Sequence, residues 1–107
     1  MVPFQIFYRP QIQALEAAGN RQAAVALCTK GLQTAPAEQI DPLLTSPAPA
    51  RLEDYDLLLH FYEIYSDCAG VYARGGRDDL ATWAHAKAQR MEAALDRQTL
   101  YLDRQNQ

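Results

Sequence analysis

The chain has no excess of positive charge. Its 10 Lys and Arg are outnumbered by 13 Asp and Glu, giving a formal net charge of −3 and a pI near 5.2, and the basic residues fall in ones and twos beside acidic neighbours. A nucleic-acid interface needs a basic patch or stripe, so that class of partner is set aside. Long apolar runs are missing too. The densest aliphatic run, Leu57-Leu58-Leu59, is far short of the roughly 20 residues that cross a bilayer. Met1 to Tyr8 carry neither the basic n-region nor the small-residue cleavage site of a secretory leader. The expectation is a cytoplasmic protein with no membrane partner.

Cysteine is scarce. Cys28 and Cys68 are the only 2 and stand in no CxxC pattern, with no histidine placed to complete a metal quartet, so both read as buried free thiols. A phosphate-cradling loop is absent: Gly75-Gly76 runs into Arg77-Asp78-Asp79 rather than into GxxxxGK[ST]. His60 and Glu63 have the spacing of a carboxylate-bridged metal bundle, but no second such pair exists, and His85 has no acid three or four positions away. Cys68 lies beside Asp67, which disfavours a thiolate nucleophile. These absences argue against an enzyme, a metal and a cofactor, and they leave binding.

What is present is helix punctuation. Leu15-Glu16-Ala17-Ala18-Gly19-Asn20-Arg21 ends one helix and starts another, because Gly19 accepts a positive φ cheaply and Asn20 caps the next helix. The second helix then runs to the vicinity of Thr34, with Ala24, Leu27, Cys28, Gly31 and Leu32 on one face, before Pro36. The pattern predicts an all-α single domain over 1–107 with four main helices: about Arg9 to Ala18, Arg21 to Thr34, Arg51 to Arg74, and a long C-terminal helix from Asp78 to about Asp103. Between the second and third lies a proline-rich loop, 36–50, holding Pro36, Pro42, Pro47 and Pro49. Within it Ala37 to Leu44 has the makings of one helical turn, since Asp41-Pro42 is a good cap and first position. Gly75-Gly76 breaks the third helix as Gly19 breaks the first.

The third helix is apolar nearly all round. It carries Tyr55, Phe61, Tyr62, Tyr65 and Tyr72, so it is either central or covered by a partner. Leu80, Trp83, Ala84, Met91, Ala94 and Leu95 are the expected buried stripe of the fourth.

The chain also repeats itself. Tyr8, Gln11, Ile12, Leu15, Gly19, Ala24, Cys28, Gly31 and Pro36 stand opposite Tyr65, Cys68, Ala69, Tyr72, Gly76, Ala81, His85, Ala88 and Ala93 at a constant offset of 57. Each copy has an aromatic opening, a large apolar residue one turn before a glycine, and an alanine five positions after that glycine. This grammar resembles the tetratricopeptide repeat over about 60 of the 107 residues, with an insertion of about 23 relative to the family's period of about 34 residues. Ile12, Pro10 and Ala93 depart from the family pattern. A plain four-helix bundle is the alternative, since alanine contacts and turn glycines are generic.

The resemblance implies two stacked antiparallel helical hairpins whose first helices line a concave surface for a peptide or helix of another protein. Those positions map to Ile6, Arg9, Gln13 and Glu16 in the first copy and Glu63, Ser66, Gly70 and Ala73 in the second. The basic clamp with which some members hold a carboxylate terminus is not reproduced. Candidate partner-binding residues are therefore Arg9, Gln13, Glu16 and Glu63 for orientation. Ile40, Leu43, Leu44, Tyr55, Tyr62 and Tyr65 are the candidate apolar anchors. The role implied is an adaptor, small chaperone or complex subunit. A homodimer paired through its long helices, or a small inhibitor or immunity-type protein, is the other reading.

Overall fold

The computed structural model describes residues 8–33, 37–45 and 52–105, and every regular element among them is helical. The helices are α1 (Arg9–Ala17), α2 (Arg21–Leu32), α3 (Ala37–Thr45), α4 (Leu52–Arg74) and α5 (Asp78–Gln105). Among the described residues five helices thus stand where four were expected, and the expected 36–50 loop contains the 9-residue α3.

The helical turn expected over Ala37 to Leu44 is a longer helix, and Pro42, expected at a first helical position after an Asp41 cap, lies inside it. Its missing N–H leaves the Glu38 carbonyl without a helical partner, but Glu38 and Pro42 both face solvent, where water serves. The opposite side pays the ordering entropy. Ile40 and Leu44 are buried and Leu43 is packed against the same core. Lys87 Nζ reaches Asp41 Oδ1 at 3.1 Å, and Arg97 Nη2 donates to the Leu44 carbonyl at 3.0 Å. That bond satisfies one of the carbonyls a helix end leaves open.

The two tight turns are copies of each other at the bond level. Gly19 has φ +79° and Gly76 has φ +76°. Gly19 N–H donates to the Glu16 carbonyl and Asn20 N–H to the Leu15 carbonyl, at 3.0 and 2.8 Å; Gly76 N–H donates to Ala73 and Arg77 N–H to Tyr72, at 3.2 and 2.9 Å. Each turn is the Schellman closure, in which a left-handed residue lets the chain satisfy two helix-end carbonyls and reverse. The offset of 57 seen in the side chains therefore extends to the backbone. The next helix begins alike in both: Ala24 N–H bonds to Asn20 and Ala81 N–H to Arg77. Asn20 also accepts from Ala23 N–H at 3.3 Å, as an N-cap does.

α4 is the central element. Leu58, Phe61, Ile64, Tyr65, Cys68, Val71 and Tyr72 are all buried, a set too wide for one helix face, because α2, α3 and α5 all pack against α4. α5 contributes Ala84, Ala88, Met91, Ala94 and Leu95, and the alanines let it lie close along α4. Leu80 is only half-buried. Trp83, expected in that stripe, is 48 % exposed, since position 83 falls at the edge of the face that Ala84 and Ala88 define.

Candidate functional site

α1 and α4 run in the same direction and are joined by two ion pairs. Arg9 Nη2 meets Asp67 Oδ2 at 3.4 Å, and two turns further on Glu16 meets Arg74 through two bonds, Nε to Oε2 at 2.7 Å and Nη2 to Oε1 at 2.9 Å. Both pairs are separated by 58 positions, as two parallel helices in fixed register require. Seven residues of helix put the two bridges about 10 Å apart.

Between the bridges is a cleft of about 220 Å³. Ile12, Gln13, Ser66 and Gly70 line it, with Cys28, Cys68 and Val71 behind them. Gly70 gives the site its shape. A Cβ there would stand 3.1 Å from Arg74 Nη1, a tight contact that the arginine avoids as it folds back one turn toward Glu16. Arg21 Nη1 approaches the Arg74 carbonyl at 3.4 Å and helps close the end of α4.

The Glu16–Arg74 bridge holds its charges. The Arg74 hydrogen bonds keep the Glu16 carboxyl below its ordinary value of 4.5, against the opposing effect of burial, and Glu16 in turn raises Arg74. The cleft is thus rimmed by two ion pairs of balanced charge with an amide, Gln13, between them. Such a lining presents both donors and acceptors, and it favours a polar main chain or mixed segment over an ion of either sign.

A second concavity, of about 480 Å³, lies between α2 and α5. Its lining is apolar apart from Thr29 and Gln33: Leu32, Tyr65, Tyr72, Leu80 and Trp83. Tyr65 and Trp83 meet edge to face with centroids 5.6 Å apart. Thr29 Oγ1 donates to the Val25 carbonyl at 3.1 Å and lies 2.9 Å from Tyr72 Oη, so the tyrosine donates to the threonine. Burial raises both Tyr65 and Tyr72 above the ordinary phenol value of 10.0, and both are neutral at physiological pH.

Of the residues singled out from the sequence, Arg9, Gln13 and Glu16 come together in the first cleft, with Ser66 and Gly70 opposite. Ile40 and Leu44 are buried under α3 and Leu43 is half-buried there. Tyr55 and Tyr62 are half-buried, Tyr62 Oη pointing to Glu92 Oε2 at 3.5 Å, and Tyr65 is buried. Glu63 is exposed on α4 and Ala73 likewise. Ile6 lies outside the described residues. Asp67 and Arg74, which complete the bridges, were not picked out, although opposite charges at 9 and 67 and at 16 and 74 follow the internal offset to within one residue. His60 stacks edge-on with Phe61 at 5.1 Å. Among the described residues no group of three or more His, Cys, Asp or Glu is placed to hold a metal, and no helix is long and apolar enough to cross a membrane.

Comparison with protein-family models, with curated proteins and with solved structures returns no significant match.

Proposed function

We propose that this chain is a cytoplasmic protein-binding module of tetratricopeptide type, an adaptor, small chaperone or complex subunit that works by binding rather than catalysis. In this reading α1 with α2 and α4 with α5 are successive stacked hairpins, and the cleft between α1 and α4 receives an extended or helical segment of a partner protein. The observation that supports it best is the register of the first helices: Arg9 with Asp67 and Glu16 with Arg74 at one offset, beside turns closed by the same bonds. Parallel first helices lining a shared surface are what the repeat's binding mode needs. The small residues Ser66 and Gly70 keep that surface open, while α3 and the length of α5 cover apolar surface that two repeats alone would leave bare.

Ser66→Trp tests this, because Ser66 is exposed at the cleft and an indole would fill it without entering the core. Wild type captured from native lysate is expected to bring down a stoichiometric protein that Ser66→Trp loses while melting as wild type does. Retention of that protein by the variant would refute the cleft as the binding surface. A second reading, self-association, draws support from Trp83, half-exposed at the rim of the apolar α2/α5 groove. A dimer mass in light scattering, reduced to monomer by Trp83→Lys, would decide for it.

A further inference from the structure

We propose that the outward stripe on the N-terminal half of α4 docks a basic amphipathic helix of a partner protein, through Leu52 and Leu59 and the acids beside them. Leu52 is 65 % exposed and Leu59 38 %. They stand two helical turns apart, so both point the same way with about 10 Å between them. Asp56 and Glu63 each follow one of these leucines by one turn, and both are exposed. The order Leu52, Asp56, Leu59, Glu63 thus repeats leucine and acid along one side of the helix.

The core does not use this side. Leu58, Phe61, Ile64 and Tyr65, buried over the same stretch, lie on the opposite face. α1 pairs with α4 further along, its first residue Arg9 meeting Asp67, so Leu52 and Leu59 fall before the point where α1 begins. Of the three large apolar side chains exposed among the described residues, two are on this stripe and the third is Trp83 of α5. A single surface leucine is ordinary. Two on one stripe, two turns apart, form a ridge of the kind against which another helix packs.

Charge selects the partner. From Leu52 to Ala73, α4 carries Glu53, Asp54, Asp56, Glu63 and Asp67 and no Lys or Arg. Lys87 and Arg97 of α5 turn to α3, and Arg9 turns to Asp67. The stripe offers apolar contact inside a negative field, which repels an acidic helix and attracts one with Lys and Arg beside its apolar side chains. A second copy laid stripe to stripe would set like charges against each other. A partner helix of about three turns spans the roughly 16 Å from Leu52 to Glu63. None of these four residues lines the cleft between α1 and α4, so the proposal does not rest on what the cleft binds.

The test is fluorescence anisotropy of a labelled peptide built only of Leu and Lys, about 14 residues long with its leucines at helical spacing, titrated with the full chain at low salt. Saturable one-to-one binding is expected. Leu52→Ala combined with Leu59→Ala is expected to weaken it about tenfold. Asp56→Lys is expected to do the same at low salt and less at high salt, whereas Asp78→Lys, the same charge change at the opposite end of α4, leaves it unchanged. The altered side chains on α4 are exposed, so those variants are expected to melt within a few degrees of wild type. A peptide of equal composition with its leucines scrambled off one face is expected to bind about tenfold more weakly. No binding to wild type, equal binding of the scrambled peptide, or full binding by the leucine variant would each overturn the proposal. So would a dimer mass in light scattering that the leucine variant reduces to monomer, which would give the stripe to a second copy. The probe is synthetic and no substitution touches the cleft, so failure here leaves the Ser66→Trp test standing and the reverse also holds.

Discussion

Arg74 and Glu16 join the C-terminal ends of α4 and α1 through a two-pronged ion pair, Nε to Oε2 at 2.7 Å and Nη2 to Oε1 at 2.9 Å. The residues stand 58 positions apart and just before the two glycine turns, so the bridge fixes the ends of both helical hairpins to each other. Paired with Arg9 and Asp67, it sets the width of the cleft.

The bridge makes part of the stability pH-dependent. Glu16 is held below its ordinary 4.5 by Arg74, so its contribution is fully present above about that pH and is lost as the pH falls through the lower folded-state value. The Arg74 side chain is 58 % exposed, which limits the contribution to about 0.5–1 kcal/mol at neutral pH. Urea unfolding of wild type and Glu16→Gln is expected to show that gap at pH 7 and a gap that shrinks as the pH is lowered below 4.5. A gap that widened in acid would mean the pair does not act as described.

Gly75 and Gly76 are adjacent but needed for different reasons. Gly76 adopts φ +76° with open space around it, so Gly76→Ala costs backbone strain, about 1–2 kcal/mol. Gly75 is a matter of contact, its missing Cβ leaving room for Val25 Cγ2, and Gly75→Ala costs about 1–3 kcal/mol through overpacking. Val25→Ala separates the two. In a double-mutant cycle it should relieve much of the Gly75→Ala cost and add independently to that of Gly76→Ala; additivity in both cycles would show that Val25 yields freely.

The helices and turns were readable because Gly19, Gly76 and Pro36 punctuate strong apolar periodicity, and local physics decides such boundaries. α3 was readable only in part, as one helical turn over Ala37 to Leu44 with Pro42 at its start, and what carries the helix through the proline is contact of Ile40 and Leu44 with the core. The core face of α4 was equally hidden: a helix apolar on all sides carries no directional signal. For the cleft, Arg9, Gln13 and Glu16 followed from the internal repeat. Asp67 and Arg74 look like any solvated charges in sequence, because a contact between residues 58 apart leaves no local trace.

Thr29 and Tyr72 form a relay into the backbone of α2, Tyr72 donating to Thr29 Oγ1 and Thr29 to the Val25 carbonyl. Removing either end is not equivalent. Tyr72→Phe deletes the donor and leaves Thr29 bonded to Val25, for about 0.5–1.5 kcal/mol. Thr29→Val keeps the volume but strands a phenol whose residue is fully buried, which costs about 1–3 kcal/mol. Denaturant unfolding should rank Thr29→Val below Tyr72→Phe, and the reverse order would mean water in the α2/α5 groove takes the phenol proton.

The tyrosines of α4 divide by burial, and that decides which of them can report on binding. Tyr65 is 6 % exposed and Trp83, against its edge, 48 %. Truncating Tyr65 to alanine removes a core ring and is expected to cost about 3–5 kcal/mol, a large fraction of the stability of a domain this size. Trp83→Ala gives up an edge-to-face contact and partial burial, about 0.5–1.5 kcal/mol, and Tyr62→Ala, half-buried with a long bond to Glu92, falls in the same range. Thermal melts should therefore collapse for Tyr65→Ala and move by a few degrees for the other two. Any loss of association in Tyr62→Ala or Trp83→Ala can then be assigned to the surface itself, whereas a Tyr65→Ala protein that melted like wild type would place that ring outside the core and return it to the candidate anchors.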